Sequence, residues 1–142
     1  MSATAGPSEA KSPAGGKFGL TRGQVVQEIG WDEDVDDQVR VAVEDAIDGE
    51  LIEEAMDAVD VVLLWWREDD GDLVDGLVDS VIDLSASGVL WLLTPKVGRN
   101  GYVDNSDISE AAVTAGLALT TSANVSPDWA AHKLVRPRGT RK

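Results

Sequence analysis

Apolar runs alternate with helix-like patterns along this chain. The clearest run is Val59–Trp66, which only Asp60 interrupts, and a second run, Val89–Leu93, is stopped by Pro95. Strands that are apolar on both sides are typical of parallel sheets whose two faces are covered by helices. The two runs therefore predict two buried, parallel strands.

Weaker patterns predict the other elements. Short apolar stretches bounded by turn residues predict further strands over residues 24–29, 117–125 and 131–135. Apolar residues at helical spacing predict helices over residues 34–48, 72–84 and 105–115. Turns are predicted at residues 85–88 and 126–128, whereas residues 50–57 fit either a short strand or a helix.

The order of these elements predicts an open, mostly parallel α/β sheet with helices on both faces. The last two strands lie close in sequence, so they are expected to form an antiparallel hairpin. Asp34 and Asp36 are expected to cap the first helix, Gly49 to end it, and Ser106 to cap the last helix.

The ends of the chain differ from its middle. Residues 1–16 are rich in Ser, Ala, Gly and Pro and show no apolar periodicity, so they are predicted to be a disordered tail. Residues 17–137 are predicted to form one domain, and residues 138–142 a basic C-terminal tail.

Composition excludes several classes of site. The 142 residues include 26 acidic and 12 basic side chains, and the net charge of −14 argues against general nucleic-acid binding. With no cysteine and a single histidine, the chain has no thiolate, disulfide or multi-histidine metal chemistry. No apolar run approaches the roughly 20 residues that cross a bilayer, and the N-terminus lacks an apolar signal segment, which together predict a cytoplasmic protein without membrane contact.

The acidic residues are concentrated in one part of the chain. Residues 28–83 hold 21 acidic side chains and two basic ones. A solvated surface accounts for such a run, and a docking face for a basic protein partner is the alternative.

Residues 59–135 resemble the C-terminal half of a class I methyltransferase. The resemblance rests on residues 60–64 (DVVLL), 87–92 (SGVLWL) and 110–117 (EAAVTAGL), and it implies a Rossmann-like fold. The cofactor site of such enzymes needs a glycine-rich loop after the first strand, where the backbone must approach the ligand closely. This chain instead continues Glu28-Ile29-Gly30-Trp31, which argues against S-adenosylmethionine binding.

Nearly the whole predicted domain is also similar to the domain of unknown function 3052 family, short acidic proteins found mainly in actinobacteria. The matching segments are residues 23–30, 64–73, 93–99, 106–112 and 128–129. This resemblance implies a truncated Rossmann-like open sheet, mostly parallel, with a C-terminal antiparallel hairpin, and a bacterial origin. It implies no established activity.

Two loops are expected at carboxyl ends of strands, where open α/β sheets bind ligands. They are residues 66–72 and 94–101. The cations and glycine N–H groups of the second loop suggest a pocket for a phosphate or carboxylate. An ion-pair cluster joining Lys96 and Arg99 to Asp69, Asp70 or Asp72 is the structural alternative. The predicted ligand-binding residues are Trp66, Asp70, Asp72, Lys96, Gly98, Arg99, Gly101 and Trp129.

No catalytic group is assigned from the sequence. His132 has no evident nucleophile partner and is interpreted as a surface or edge histidine, while Ser122 and Thr94 lack the context of a nucleophile elbow. Runs of aspartate are better explained by helix capping than by a metal site. The cofactor is left unassigned.

These observations favour a regulatory or interaction protein without catalytic activity that binds a small anionic metabolite. The alternative is a minimal S-adenosylmethionine-dependent methyltransferase. An unpaired edge strand near Leu134 would also permit a homodimer.

Overall fold

The two apolar runs form the middle of the sheet in the computed structural model, which describes residues 18–137. The strands are β1 (Val26–Ile29), β2 (Val59–Trp65), β3 (Leu84–Pro95), β4 (Ala118–Asn124) and β5 (Trp129–Val135). The helices are α1 (Asp37–Ile47), α2 (Leu73–Ser80) and α3 (Asn105–Thr114), and a 3-10 turn spans Glu68–Asp70. Both predicted tails lie outside the described residues.

The strand order is β1-β2-β3-β5-β4. β1, β2 and β3 run parallel, whereas β5 is antiparallel to both β3 and β4. The truncated Rossmann-like sheet with a C-terminal antiparallel hairpin is therefore confirmed.

Helices cover both faces of the sheet. On one face α1 packs Val39 and Val43 against the strands, and on the other face α2 and α3 contribute Leu77 and Ile108. All four side chains are at most 1% exposed. The predicted double-sided burial of the central strands is confirmed, because β2 supplies alternate residues to the two cores.

The path of the chain reverses direction at β1. After α1, Ile52 forms a single parallel bridge to Gln27, on the side of β1 away from β2. The chain then returns to form β2 on the other side. The ambiguous segment 50–57 is thus neither a full strand nor a helix. Open α/β sheets bind ligands where the strand order reverses, so this topology draws attention to the crevice between the ends of β1 and β2.

Two predicted boundaries are wrong at the start of β3. The helix predicted to Leu84 ends at Ser80, and the turn predicted at residues 85–88 belongs to β3. The parallel register shifts here, so that Val59 pairs with Leu84 but Val61 pairs with Val89. A Cβ on Gly88 would lie 2.4 Å from the Leu84 side chain, so this glycine allows the strand to continue through the irregularity.

Two helix ends also differ from the prediction. Asp104, not Ser106, caps α3, because its carboxylate accepts the backbone N–H of Ser106. Asp48 adopts the left-handed conformation that ends α1, one residue before the predicted Gly49. Asp36 caps α1 as predicted.

The edge of the sheet lies elsewhere than predicted. Leu134 belongs to β5, which lies between β3 and β4, so the strand at this edge is β4. His132, also on β5, is 5% exposed, and its interpretation as a surface or edge histidine is wrong. No helix among residues 18–137 is long and apolar enough to span a membrane.

Candidate functional site

Arg67 fills the crevice at the ends of β1 and β2. Its guanidinium forms a two-pronged ion pair with Asp34, in which Nε lies 3.0 Å from Oδ2. Nη1 also donates to the carbonyl oxygen of Gly30 at 2.8 Å and to Oδ2 of Asp70 at 3.3 Å. The Trp129 ring centroid lies 5.4 Å from Cζ of Arg67. We call Arg67, Asp34, Asp70 and Trp129 the Arg67 cluster.

Electrostatics within the Arg67 cluster keep both partners ionised. The hydrogen bond from Arg67 lowers the pKa of the Asp34 carboxyl. Burial disfavours the charged form of Arg67, but hydrogen bonds and attraction to Asp34 outweigh it, so the pKa of the guanidinium is raised. The positive charge of Arg67 is therefore paired with the carboxylates of Asp34 and Asp70.

Backbone packing closes the same crevice. Gly30 has a φ of +83°, and a Cβ placed on it would lie 2.3 Å from the carbonyl oxygen of Trp65. On the other side, Gly101 approaches the Arg67 side chain so closely that a Cβ would lie 3.0 Å from Cβ of Arg67. The loops after β1, β2 and β3 thus meet around Arg67.

A second buried ion pair lies below the crevice. The carboxylate of Glu28 accepts two hydrogen bonds from Arg40, at 2.7 and 2.9 Å, and one from the Trp65 indole at 2.9 Å. Glu28 is 6% exposed, and side chains of the same chain donate all three of these hydrogen bonds. Its role is to join α1 to the first two strands.

Most of the predicted ligand-binding residues have structural partners. Asp70 belongs to the Arg67 cluster, and Trp129 is buried with its ring 4.9 Å from that of Trp65. Asp72 caps α2, and the Trp66 ring packs against Gly76 of that helix. Two of these residues thus belong to the crevice, and the other two hold α2 in place.

In the second predicted loop, residues 94–101, only some of the predicted residues contact other parts of the chain. Arg99 forms an exposed ion pair with Asp128 at 2.6 Å, instead of with Asp69, Asp70 or Asp72. Gly98 and Gly101 both have positive φ, and the carbonyl oxygen of Gly101 accepts the N–H of Glu68 at 2.9 Å. The two loops therefore meet as predicted, but through backbone contacts. Lys96 makes no ion pair within residues 18–137.

Lys96 lines an open cleft of about 440 Å³ between the end of β3 and the β4–β5 hairpin, on the face covered by α3. We call it the β3–β5 cleft. Its polar lining residues are Thr94, Lys96, Tyr102, Asn105, Ser122, Asn124 and His132. Its apolar lining residues are Pro95, Val97, Val103, Ala123 and Ala130. No other predicted ligand-binding residue is among them.

A chain of hydrogen bonds crosses the wall of the β3–β5 cleft. Nδ1 of His132 lies 2.8 Å from the Ser122 hydroxyl, and Nε2 lies 3.1 Å from the Thr94 hydroxyl. Thr94 is 1% exposed, whereas Ser122 is exposed. Burial lowers the pKa of His132 from 6.5 to about 4, so the imidazole is neutral at pH 7.

The charge of the β3–β5 cleft differs from that of the chain as a whole. Among residues 18–137, its lining includes one cation, Lys96, and no carboxylate, although the chain carries 26 acidic residues. The neighbouring carboxylates are already engaged, since Asp104 caps α3 and Asp128 pairs with Arg99. The arrangement suits an anion with an apolar body.

Another hollow, of about 670 Å³, lies at the opposite end of the sheet beside Arg136. The guanidinium of Arg136 donates to the carbonyl oxygens of Val81, Leu84 and Ser85. Its cation therefore already has acceptors within the chain.

Sequence reasoning missed Ser122, His132 and Thr94 as neighbours. The signal was present in the predicted turn at residues 126–128. A hairpin centred on Pro127 places residues five before and five after it opposite each other, and Ser122 indeed pairs with His132. Thr94 requires the antiparallel pairing of β3 with β5, which the sequence does not reveal.

Comparison with solved structures gives the class of fold. The chain is similar to the pyocyanin biosynthetic protein PhzM, with a TM-score of 0.65 and 10% identity over 91% of this chain and 55% of that protein. It is also similar to the O-methyltransferase NcsB1, solved with S-adenosylmethionine, with a TM-score of 0.63 and 12% identity. That match covers 80% of this chain and about half, 49%, of NcsB1.

A shorter enzyme matches over nearly its whole length. A SAM-dependent methyltransferase from Aquifex aeolicus has a TM-score of 0.57 and 12% identity over 90% of this chain and 92% of its own. The fold is thus that of class I methyltransferases, and at these identities the likeness concerns the fold alone.

The sequence itself identifies a narrower group. Residues 15–138 match the family described as protein of unknown function DUF3052, and the chain belongs to that family. The uncharacterized protein Rv2239c of Mycobacterium tuberculosis is 53% identical over 123 residues, which cover 86% of this chain and 77% of that protein. The uncharacterized protein Mb2263c of Mycobacterium bovis matches with the same values.

Proposed function

We propose that this protein is a cytoplasmic, non-catalytic regulatory protein that binds a small anionic metabolite in the β3–β5 cleft. The observation that carries the proposal is the position of Lys96, the one charged side chain among the described residues that line the β3–β5 cleft. A lysine ammonium attracts a carboxylate or phosphate, and none of the other described lining residues carries a charge that would compete for it.

The filled crevice between β1 and β2 supports this location. Arg67 and Trp129 occupy the place where the strand order reverses, and the loop at Gly30 lies in contact with β2. A ligand there would have to displace the Arg67–Asp34 ion pair and the hydrogen bond from Arg67 to the Gly30 carbonyl oxygen. The β3–β5 cleft requires no such displacement.

A thermal-shift screen with small carboxylates, phosphates and S-adenosylmethionine tests the proposal. A compound at 100 times its dissociation constant should stabilise the protein by about 2.7 kcal/mol. The variant Lys96→Ala should lose the effect of anionic compounds. Lys133→Ala is the matched control, since Lys133 also makes no ion pair within the described chain but lies outside the β3–β5 cleft. Equal responses of the two variants would contradict the proposal.

The second candidate is a minimal S-adenosylmethionine-dependent methyltransferase. The likeness of the fold to methyltransferases favours it. Under this alternative, S-adenosylmethionine should stabilise the protein, and Arg67→Ala should change its affinity while Lys96→Ala should not.

A further inference from the structure

The Ser122–His132–Thr94 chain indicates which anions the β3–β5 cleft would select. We infer that the ligand is a carboxylate whose apolar body bears a hydroxyl or carbonyl group, with Lys96 holding the carboxylate and Ser122 binding the second group. This inference rests on the proposed function, because it concerns the same cleft and the same lysine.

The choice of a carboxylate follows from the single cation. Lys96 offers one positive charge, and the polar groups around it are neutral. Phosphate sites typically combine forked arginines or several backbone N–H groups around a larger negative charge. One ammonium beside hydroxyl, amide and imidazole groups matches a singly charged head better.

The second group is inferred from the exposed end of the hydrogen-bonded chain. Neutral His132 has one N–H and one lone pair, and its two ring nitrogens contact the Ser122 and Thr94 hydroxyls. If Nε2 carries the proton, Ser122 donates to Nδ1 and its oxygen accepts from a ligand hydroxyl. If Nδ1 carries the proton, Ser122 accepts from it and its own O–H donates to a ligand oxygen. Ser122 can therefore bind either a hydroxyl or a carbonyl group.

The register of the sheet sets the distance between the two ligand groups. Ser122 pairs with His132 and His132 pairs with Leu92, so Ser122 lies two strands across and four residues along from Lys96. This corresponds to roughly 17 Å between the two Cα atoms, of which the lysine side chain spans a part, so the two polar groups must lie at opposite ends of the ligand. Val97, Val103 and Ala123 line the same cleft and offer apolar contact to the body of the ligand. A ring or short branched chain joining the two polar groups fits this arrangement.

Calorimetric titration with matched pairs of compounds tests the inference on the full chain. The pairs are 4-hydroxybenzoate with benzoate and 4-hydroxyphenylacetate with phenylacetate. The wild type should bind the hydroxylated member about tenfold more tightly, the effect of one neutral hydrogen bond. Ser122→Ala should remove this preference while leaving the affinity for benzoate or phenylacetate unchanged, and Ser122→Thr should retain it.

Thr121→Ala is the matched control, because Thr121 is adjacent on β4 but does not line the β3–β5 cleft. Binding that depends on Lys96 without any preference for the hydroxylated members would overturn this inference and leave the proposed function standing. A preference that persists in Ser122→Ala would also overturn it. If no compound of either pair binds the wild type more tightly than it binds Lys96→Ala, the proposed function itself is overturned.

Discussion

Replacing Gly30 with alanine tests whether the crevice between β1 and β2 is closed. Gly30 has a φ of +83°, and a Cβ on it would lie 2.3 Å from the carbonyl oxygen of Trp65. An ordinary contact needs about 3.4 Å, so the loop or the end of β2 must move by about 1 Å. That movement would also pull the Gly30 carbonyl from Arg67, which donates to it at 2.8 Å.

The expected cost is the sum of three effects. Alanine at positive φ costs about 1–2 kcal/mol. Overpacking adds about 1–3 kcal/mol, and loss of a hydrogen bond to a charged group adds about 1.5–3 kcal/mol. Gly30→Ala should therefore lower the free energy of unfolding by about 4 kcal/mol or more, a large share of the roughly 5–15 kcal/mol of a typical domain.

Gly98→Ala is the matched control for backbone conformation. Gly98 has a φ of +87°, but nothing lies within 4 Å of a Cβ placed on it, so only the conformational cost of about 1–2 kcal/mol applies. Urea unfolding followed by tryptophan fluorescence measures both variants. The overpacking and the lost hydrogen bond together should make the two free energies of unfolding differ by more than about 1 kcal/mol. If the two values agree more closely than that, the crevice is not closed as described.

Three further predictions concern stability. Burial lowers the pKa of His132 from 6.5 to about 4, so below pH 6.5 the unfolded chain takes up a proton that the folded protein refuses, and stability falls. At about 1.4 kcal/mol per pKa unit, the wild type should lose about 3 kcal/mol more than His132→Gln between pH 7 and pH 4 in urea titrations, and equal losses would refute the assignment. Arg67→Met should cost about 3 kcal/mol because it breaks a partly buried ion pair, whereas Arg22→Met, at an exposed pair, should cost under about 1 kcal/mol; equal costs would count against the Arg67 cluster. Asp104→Ala should cost about 1 kcal/mol as the loss of a helix cap, and thermal melts should show a smaller effect for Ser106→Ala; the reverse order would restore Ser106 as the cap.

The sequence allowed the central part of the fold to be predicted because its signals are local. The apolar runs of β2 and β3 predict strands that are buried on both faces of a sheet. The hairpin is predicted by the short stretch of chain between its two strands. The irregular start of β3 could not be predicted, since the register shift at Gly88 depends on its contact with Leu84.

The candidate site was less predictable because its partners lie far apart in the chain. Arg67 is separated from Asp34 by 33 residues, and neither was recognised as the centre of the crevice. Lys96 was identified from its position after a buried strand, but the side chains facing it come from the C-terminal hairpin. Long-range strand pairing decides which of several charged loop residues remain available for a ligand.

A titration followed by amide NMR chemical shifts locates the ligand-binding site residue by residue. The protein would be titrated with 4-hydroxybenzoate and, separately, with S-adenosylmethionine. We expect 4-hydroxybenzoate to shift the amide signals of Lys96, Ser122 and His132, with no change at Gly30 or Arg67. Saturable shifts at Gly30 and Arg67 on addition of S-adenosylmethionine, with the β3–β5 cleft unaffected by the carboxylate, would contradict anion binding in the β3–β5 cleft.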